Sequence, residues 1–384
     1  MSVSDALTCA EMLIDSWEAK LRAELPKTPI FDAHVHLGND VDGMVGTYEE
    51  LTVICARYGI ERCFVFALDE ADSHPAFQKP NDRTLAYAEQ SQGRLIPFVR
   101  LNLDETPLEE TKRCLDLGAS GIKLHPRSQG FRVNDARLEP IVALAAERGV
   151  PVLIHGGRGL PPIADHLAQL IERYPLAQLI VAHAGIADLG ALARALGGRA
   201  GAFFDTSAWS PIDLLDFYRH VGPEQILYAS DYPYGQQPSS LLIAVRTARF
   251  AGLSEGDLRM ILWDNADRIS RHEAPLVPSA PHGSPTFTQS MTMARIHQYL
   301  SMAIPLLWTR QQDTVGALGL ALNACNEADT HPSDQEQISE LLTCARELWR
   351  TLPELERETD RVSVSRLAFR LVHLADILAV TSGA

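Results

Sequence analysis

Residues 30–38, IFDAHVHLG, decide how the rest of the chain is interpreted. A β-strand has a period of two, so this stretch places four apolar side chains on one face and three polar ones on the other: Phe31, Ala33, Val35 and Leu37 against Asp32, His34 and His36. A strand buried on both faces is nearly all apolar, so two histidines at its end predict a shared target. A metal ion is the natural target because neutral imidazole is a common metal ligand. The alternative is a pair of core histidines satisfied by hydrogen bonds.

Composition limits the class of protein. The 384 residues are 46% hydrophobic and 22% charged, which is typical of a globular protein with more than one domain. The net charge of -15 argues against nucleic-acid partners, which need a basic surface. No apolar stretch is long enough for a membrane span, and the six cysteines form no CxxC pair. We therefore expect a cytoplasmic protein with reduced thiols, a small-molecule substrate, and neither nucleic-acid nor membrane partners.

Eight short apolar runs alternate with helical patterns after the first strand begins. The runs are Ile30–Gly38, Arg62–Leu68, Leu95–Leu101, Ala119–His125, Pro151–His155, Gln178–His183, Gly201–Thr206 and Gln225–Asp231. This alternation predicts an α/β fold, a (β/α)8 TIM barrel, with a doubly wound open sheet as the alternative. Polar residues at the run ends favour the barrel, because a barrel gathers all strand ends at one mouth, whereas an open sheet spreads them along a line.

The chain outside the barrel has a different character. We predict an N-terminal helix and lead-in over 1–29, the barrel over 30–273, a linker over 274–286 and a helical C-terminal region over 287–384. The linker contains four prolines: Pro275, Pro278, Pro281 and Pro285. The apolar stripes of the C-terminal helices are typical of a core and leave open a homo-oligomer through the same helices.

Four residues at three strand ends form the predicted metal site, namely His34, His36, His155 and Asp231. Three nitrogens and a carboxylate suit one divalent ion, Zn²⁺ first and Mn²⁺ second, with a position left open for water. The ion would lower the pKa of that water toward about 7. We predict Asp231 as the acceptor of the water's proton and His183 as the acid or base, with a fifth ligand as the other role for His183.

Three further residues are predicted to bind the substrate. Arg100 ends the third run and has the fork that holds a carboxylate, although a salt bridge inside the barrel is the alternative. Lys123 and His125 share one face at the end of the fourth run, so both can reach the mouth. Cationic residues at the predicted mouth of the barrel favour an acidic substrate.

Several motifs resemble the strand-end signatures of the amidohydrolase superfamily, amidohydrolase-2 branch. They are HVH at 34–36, LIHGG at 153–157, VAHAG at 181–185 and ASDYP at 229–233, supported by GIKLHP at 121–126 and DNA at 264–266. This branch includes aminocarboxymuconate-semialdehyde decarboxylase and pyrone-dicarboxylate lactonase. The resemblance implies a metal on the ligands named above, with His183 as the acid or base. In binuclear members of the superfamily a carboxylated lysine stands at the position of Lys123, so a bridging role is the alternative for it.

The predicted function is that of a metal-dependent hydrolase, which cleaves an amide or lactone bond of a small acidic substrate through metal-activated water. The first alternative is a metal-dependent, non-oxidative decarboxylase of an aromatic or unsaturated acid, which needs the same histidines. The second alternative is a catalytically inactive barrel that serves as a scaffold. The complete set of metal-type residues argues against the scaffold.

Overall fold

The computed structural model describes residues 3–284, 286–311, 313–327 and 331–383. Pro285 of the predicted linker, residues 1 and 2 of the predicted lead-in and residue 384 lie outside these ranges. The strands are β1 (Ile30–Asn39), β2 (Val45–Gly46), β3 (Ile60–Ala67), β4 (Leu95–Arg100), β5 (Gly121–Leu124), β6 (Pro151–Ile154), β7 (Gln178–Val181), β8 (Ala202–Asp205) and β9 (Ile226–Leu227). The α-helices are α1 (Val3–Glu24), α2 (Tyr48–Tyr58), α3 (Gln78–Gln90), α4 (Pro107–Asp116), α5 (Leu138–Arg148), α6 (Ala164–Arg173), α7 (Leu189–Leu196), α8 (Pro211–Tyr218), α9 (Ser239–Phe250), α10 (Glu255–Arg259), α11 (Asn265–Ser270), α12 (Met291–Trp308), α13 (Thr314–Ala324), α14 (Pro332–Thr351) and α15 (Glu358–Val380).

The strands form one sheet in the order β2-β1-β3-β4-β5-β6-β7-β8-β9. Every pairing from β1 through β9 is parallel, whereas β2 pairs antiparallel with β1 through Gly38 and Gly46. Each of the eight predicted runs overlaps a parallel strand, so the predicted alternation is confirmed. The short strand β2 was not predicted; the stretch between β1 and α2 has the polar, glycine-containing composition of a loop.

The two ends of the parallel strand order meet, because β1 is hydrogen-bonded to the segment that follows β9. Backbone N–H groups of Ala33 and His36 donate to the carbonyls of Tyr228 and Tyr232 at 2.9 and 2.7 Å, and Asp231 N–H donates to the carbonyl of His34 at 3.0 Å. The ladder at this seam is irregular, with one isolated bridge between Val35 and Tyr232. Its irregularity follows from Asp231, whose φ of 60° interrupts the extended chain after β9. The sheet is therefore curled, and regular strand pairing does not close it.

The interior of the curl holds its own apolar cluster, separate from the larger core between strands and helices. This cluster includes Phe31 and Ala33 but not Val35, which belongs to the outer core. The predicted alternation along residues 30–38 is therefore wrong in its second half. A register shift between Asp32 and Val35 explains the difference, because a bulge turns the following side chains to the opposite face.

The helical segment that follows α9 consists of α10, a π-helical turn (Met260–Asp264) and α11. Ser254 caps its start, with its side chain accepting from Asp257 N–H. The π turn arises where the carbonyl of Ile261 accepts a hydrogen bond from Tyr228 N–H at 2.8 Å. That carbonyl is taken from the helical ladder, and Asn265 N–H bonds to Met260 instead.

The C-terminal region is helical, as predicted. Its helices α12, α13, α14 and α15 bury their apolar stripes against one another, and α1 packs against α14 and α15. Within the described ranges, no helix is both long enough and apolar enough to cross a bilayer.

Candidate active site

Five inward rows of the curled sheet change from apolar to polar at their carboxyl ends. The rows are Phe98 then Arg100, Gly121 then Lys123, Leu153 then His155, Phe203 then Asp205, and Leu227 then Asp231. The strands are parallel, so these polar ends lie on the same side of the sheet. The bulge in β1 adds His34 and His36 to this side.

The bulge is held by the carboxylate of Asp32. Its Oδ1 accepts from the backbone N–H of His34 at 3.2 Å and from that of Ser230 at 2.9 Å. Burial raises the pKa of Asp32 to about 7, and the hydrogen bonds from Ser230 and His34 oppose that rise. One buried side chain thus ties the bulge to the segment that carries Asp231.

Three acceptor atoms converge beside the bulge. His34 Nε2 lies 3.1 Å from His36 Nε2 and 3.2 Å from Asp231 Oδ1, and His36 Nε2 lies 3.4 Å from the same oxygen. Partners at the other ring nitrogens determine the tautomers. Asp205 Oδ2 lies 2.8 Å from His34 Nδ1, and the carbonyl of Ala67 lies 3.4 Å from His36 Nδ1. Both oxygens accept, so each Nδ1 carries the proton and each Nε2 presents a lone pair.

Two lone pairs and a carboxylate at this separation repel one another unless a cation lies among them. Lys123 supplies a positive group, with Nζ at 3.1 Å from His34 Nε2. A divalent metal ion fits the same donor set, because nitrogen and carboxylate oxygen are ligands of such ions. The ligand atoms of His34, His183 and Asp231 all lie within 4.8 Å of one another, so this cluster can hold a metal.

Burial keeps the imidazoles neutral, which is the form that binds metal. Burial, followed by the charge of Lys123, lowers the pKa of His34 well below its usual range. Burial likewise lowers the pKa of His36, with the charge of His34 as the next cause. Burial raises the pKa of Asp231 against the opposing charge of Lys123, and it lowers the pKa of Lys123 to about 7.

His183 lies at the junction of two hydrogen-bonded groups. Its Nε2 is 2.9 Å from His155 Nδ1, and the ring of His155 stacks on that of His125 with centroids 3.8 Å apart. Its Nδ1 is 2.9 Å from the hydroxyl of Ser207. Burial lowers the pKa of His183, while the charge of Asp205 opposes this. His155 and His125 are partly exposed, so this row of rings leads from the buried cluster toward solvent.

Backbone strain coincides with the site. His183 and Asp231 have φ of 59° and 60°, a left-handed conformation that residues other than glycine seldom adopt. Such strain persists only where the surroundings hold it. Asp205 helps to do so, because its Oδ1 accepts from the backbone N–H of His183 at 2.8 Å.

Arg100 and Lys123 form a buried cationic pair. They are register partners in the β4–β5 ladder, and Arg100 is 1% exposed. The guanidinium donates to the carbonyl of Ala67 at 3.0 Å, and its Nε has no hydrogen-bond partner. In the described ranges no carboxylate forms an ion pair with either residue, so the alternative of a salt bridge for Arg100 is not what the structure has.

The structure thus brings His34, His36, Lys123 and Asp231 into direct contact, and joins His183 to His155 and His125. The roles of these residues remain predictions. Ser207, whose hydroxyl bonds both Asp205 and His183, was not among the predicted site residues. Its signal was the pattern Asp-Thr-Ser at 205–207, which places a hydroxyl two residues beyond a strand-end carboxylate.

Comparisons with solved structures agree with this fold. A dihydroxybenzoic acid decarboxylase from Polaromonas sp. JS666, with bound manganese and the inhibitor 2-nitroresorcinol, is 16% identical with a TM-score of 0.51. The match covers 64% of this chain and 97% of that one. The IDCase of Metarhizium anisopliae in its apo form is 15% identical with a TM-score of 0.50, covering 65% of this chain and 99% of that one. At such identities the likeness shows the fold alone.

No curated protein matches the chain. The sequence model of the amidohydrolase family matches residues 31–270, which is more than half of the chain and includes every residue of the candidate site. The chain therefore belongs to the amidohydrolase family, in the amidohydrolase-2 branch.

Proposed function

We propose that this protein is a metal-dependent hydrolase that cleaves an amide or lactone bond of a small acidic substrate within a (β/α)8 barrel. The convergence of His34 Nε2, His36 Nε2 and Asp231 Oδ1 within 3.4 Å carries this proposal. His155 completes the proposed ligand set, with Zn²⁺ or Mn²⁺ as the ion. A divalent ion held by these residues would polarise the scissile carbonyl as a Lewis acid and would lower the pKa of an attacking water toward about 7.

The residues of the chain perform the remaining steps. Arg100 and Lys123, with His125 beside them, hold the substrate carboxylate, because a buried cationic pair without an anion is costly. Asp231 accepts the proton of the attacking water, and His183 gives a proton to the leaving nitrogen or oxygen.

Non-oxidative decarboxylation of an aromatic or unsaturated acid is the second candidate. The buried Arg100–Lys123 pair favours it, since every substrate of a decarboxylase carries a carboxylate. In this reaction His183 would deliver a proton to carbon. The third candidate is an inactive scaffold. It would not explain why His183 and Asp231 keep a strained backbone conformation.

Metal content and product analysis test the proposal. Mass spectrometry of the purified protein should find about one Zn²⁺ or Mn²⁺ per chain, lost in His34→Ala and in Asp231→Asn. His220→Ala is the matched control, because His220 lies beside Asp216 on the surface and should leave the metal content unchanged. Two ions per chain would support a bridging Lys123. A protein that binds no metal after supplementation would refute the proposal.

Screening with lactones, amides and aromatic acids then separates the two reactions. Release of CO₂ would establish the decarboxylase, whereas ring or amide opening without CO₂ would establish the hydrolase. His183→Gln should lower kcat in either case while the metal stays bound, because His183 is proposed to move protons.

A further inference from the structure

The C-terminal helices reach the mouth of the curled sheet. Three side chains of α15 donate hydrogen bonds to the loops after β8 and β9: His373 Nε2 to the carbonyl of Trp209 at 2.8 Å, Arg366 Nη2 to the carbonyl of Pro233 at 3.0 Å, and Arg370 Nε to Gln236 Oε1 at 2.6 Å. These bonds join the end of the chain to the two loops that follow Asp205 and Asp231. The C-terminal region is thus attached to the face of the sheet that carries the candidate site.

Four aromatic rings lie where the helices and these loops meet. Trp308, at the end of α12, has its ring centroid 4.8 Å from Trp209, 5.9 Å from Phe369 and 6.3 Å from Tyr234. Trp209 and Phe369 are 5.6 Å apart. We call these four residues the aromatic wall. Two of them, Trp308 and Phe369, come from the C-terminal helices, and two come from the loops of the mouth.

The aromatic wall is connected to the candidate site at two points. The ring of Tyr234 lies 5.9 Å from that of His36, edge to face. Trp209 follows Ser207 by two residues, and the hydroxyl of Ser207 bonds His183. One ring of the wall therefore contacts a predicted metal ligand, and another lies two residues along the chain from the partner of the predicted acid or base.

One member of the wall offers a free surface. Trp308 is 40% exposed, whereas Phe369 is 5% exposed. In the described ranges, Trp308 is the one aromatic residue among the exposed large hydrophobic side chains. Isolated exposed aliphatic residues are ordinary, but an exposed indole that contacts three other rings at tilted and edge-on angles, beside a polar site, is a surface for a flat apolar group.

We propose that the aromatic wall binds the non-reacting apolar part of the substrate and that Trp308 is its specificity-determining residue. The inference rests on the proposed function, in which Arg100 and Lys123 hold the carboxylate. The wall depends on the C-terminal region, which lies beyond residues 31–270 of the family match. The substrate range of this chain is then set partly by helices outside the family region.

Calorimetric titration of the full chain with two carboxylates tests the wall. Benzoate carries a flat ring and acetate does not, so wild type should bind benzoate at least about tenfold more tightly. Trp308→Ala should weaken benzoate binding about tenfold and leave acetate binding unchanged. Trp308→Phe should restore most of the affinity for benzoate, whereas Trp308→Leu should not, because stacking needs a ring. Met302→Ala is the control, since Met302 is a 54% exposed residue of the same helix.

The outcomes separate the wall from the carboxylate site. Unchanged benzoate affinity in a folded Trp308→Ala variant would overturn the wall alone. Arg100→Gln should weaken both acids, and if it weakens neither, the carboxylate site of the proposed function is overturned while the effect of Trp308 still stands. If wild type binds neither acid, both inferences fall together.

Discussion

Replacing Asp205 by asparagine should prevent His34 Nε2 from binding a metal, although His34 itself is left unchanged. Asp205 Oδ2 accepts the proton of His34 Nδ1 at 2.8 Å, which leaves His34 Nε2 as the free lone pair. An asparagine placed with its amide nitrogen there would donate instead, so the ring would move its proton to Nε2. The asparagine oxygen could still accept from the backbone N–H groups of His183 and Ser207, now at 2.8 and 3.0 Å. The fold should therefore survive while the donor nitrogen is lost.

The magnitude follows from the kind of contact. Loss of a carboxylate partner behind a metal-bound histidine typically weakens metal affinity by about 10- to 100-fold, or about 1.4 to 2.7 kcal/mol. The buried bond to a charged group adds about 1.5–3 kcal/mol to the stability of the wild type. Asp205→Asn should thus lower both metal affinity and the free energy of unfolding.

Competition against a chromophoric chelator measures the affinity, starting from protein freed of metal. Asp376→Asn is a matched control, because Asp376 is equally buried and holds His297 Nδ1 at 2.7 Å in the C-terminal helices. The control should lose stability and keep its metal affinity. If Asp205→Asn and Asp376→Asn bind metal equally well, the carboxylate does not select the donor nitrogen of His34 and the reasoning fails.

Two stability predictions concern other parts of the chain. Burial lowers the pKa of His297, but the hydrogen bond and charge of Asp376 outweigh it and hold the pKa above its usual range. The protonated ring therefore stabilises the fold below the unfolded-state pKa of about 6.5, and this stabilisation is lost as pH rises through the higher folded-state pKa. Melting curves of wild type and His297→Gln should differ most in acid and converge in alkali; a constant difference would contradict this. In Gly121→Ala, the new Cβ would lie 2.5 Å from the ring of Phe98, which should destabilise the protein by about 1–3 kcal/mol in urea titrations. Gly316→Ala, with no atom within 4 Å, should instead stabilise α13 by about 0.5–1 kcal/mol.

The strands and the location of the site could be predicted because both depend on local patterns. Short apolar runs that alternate with helical periods encode parallel strands, and each run here overlaps one. Burying a polar residue at the end of an apolar run costs free energy unless the residue has a binding partner. Arg100, Lys123 and Asp231 therefore indicated the location of the site from the sequence alone.

The conformation of β1 could not be predicted, because alternation is a local rule and the bulge has a long-range cause. Asp32 bonds the backbone of Ser230, which is 198 residues away, and this bond accompanies the shift of register that turns His34 and His36 inward. A strict strand would have placed Asp32 on the same face as both histidines. Only the tertiary partner reveals that the face changes within the strand.

The position of the C-terminal helices could not be predicted from the sequence either, for a different reason. An apolar stripe on a helix satisfies a core, an oligomer surface or a cover for another domain equally well, since burial is not directional. What positions α15 is directional: Arg366, Arg370 and His373 each bond a group in the loops after β8 and β9. Such side chains on a predicted helix are indistinguishable from solvated charges until their partners are known. Because those partners belong to the mouth, the helices that looked like an appendage carry Trp308 to the edge of the site.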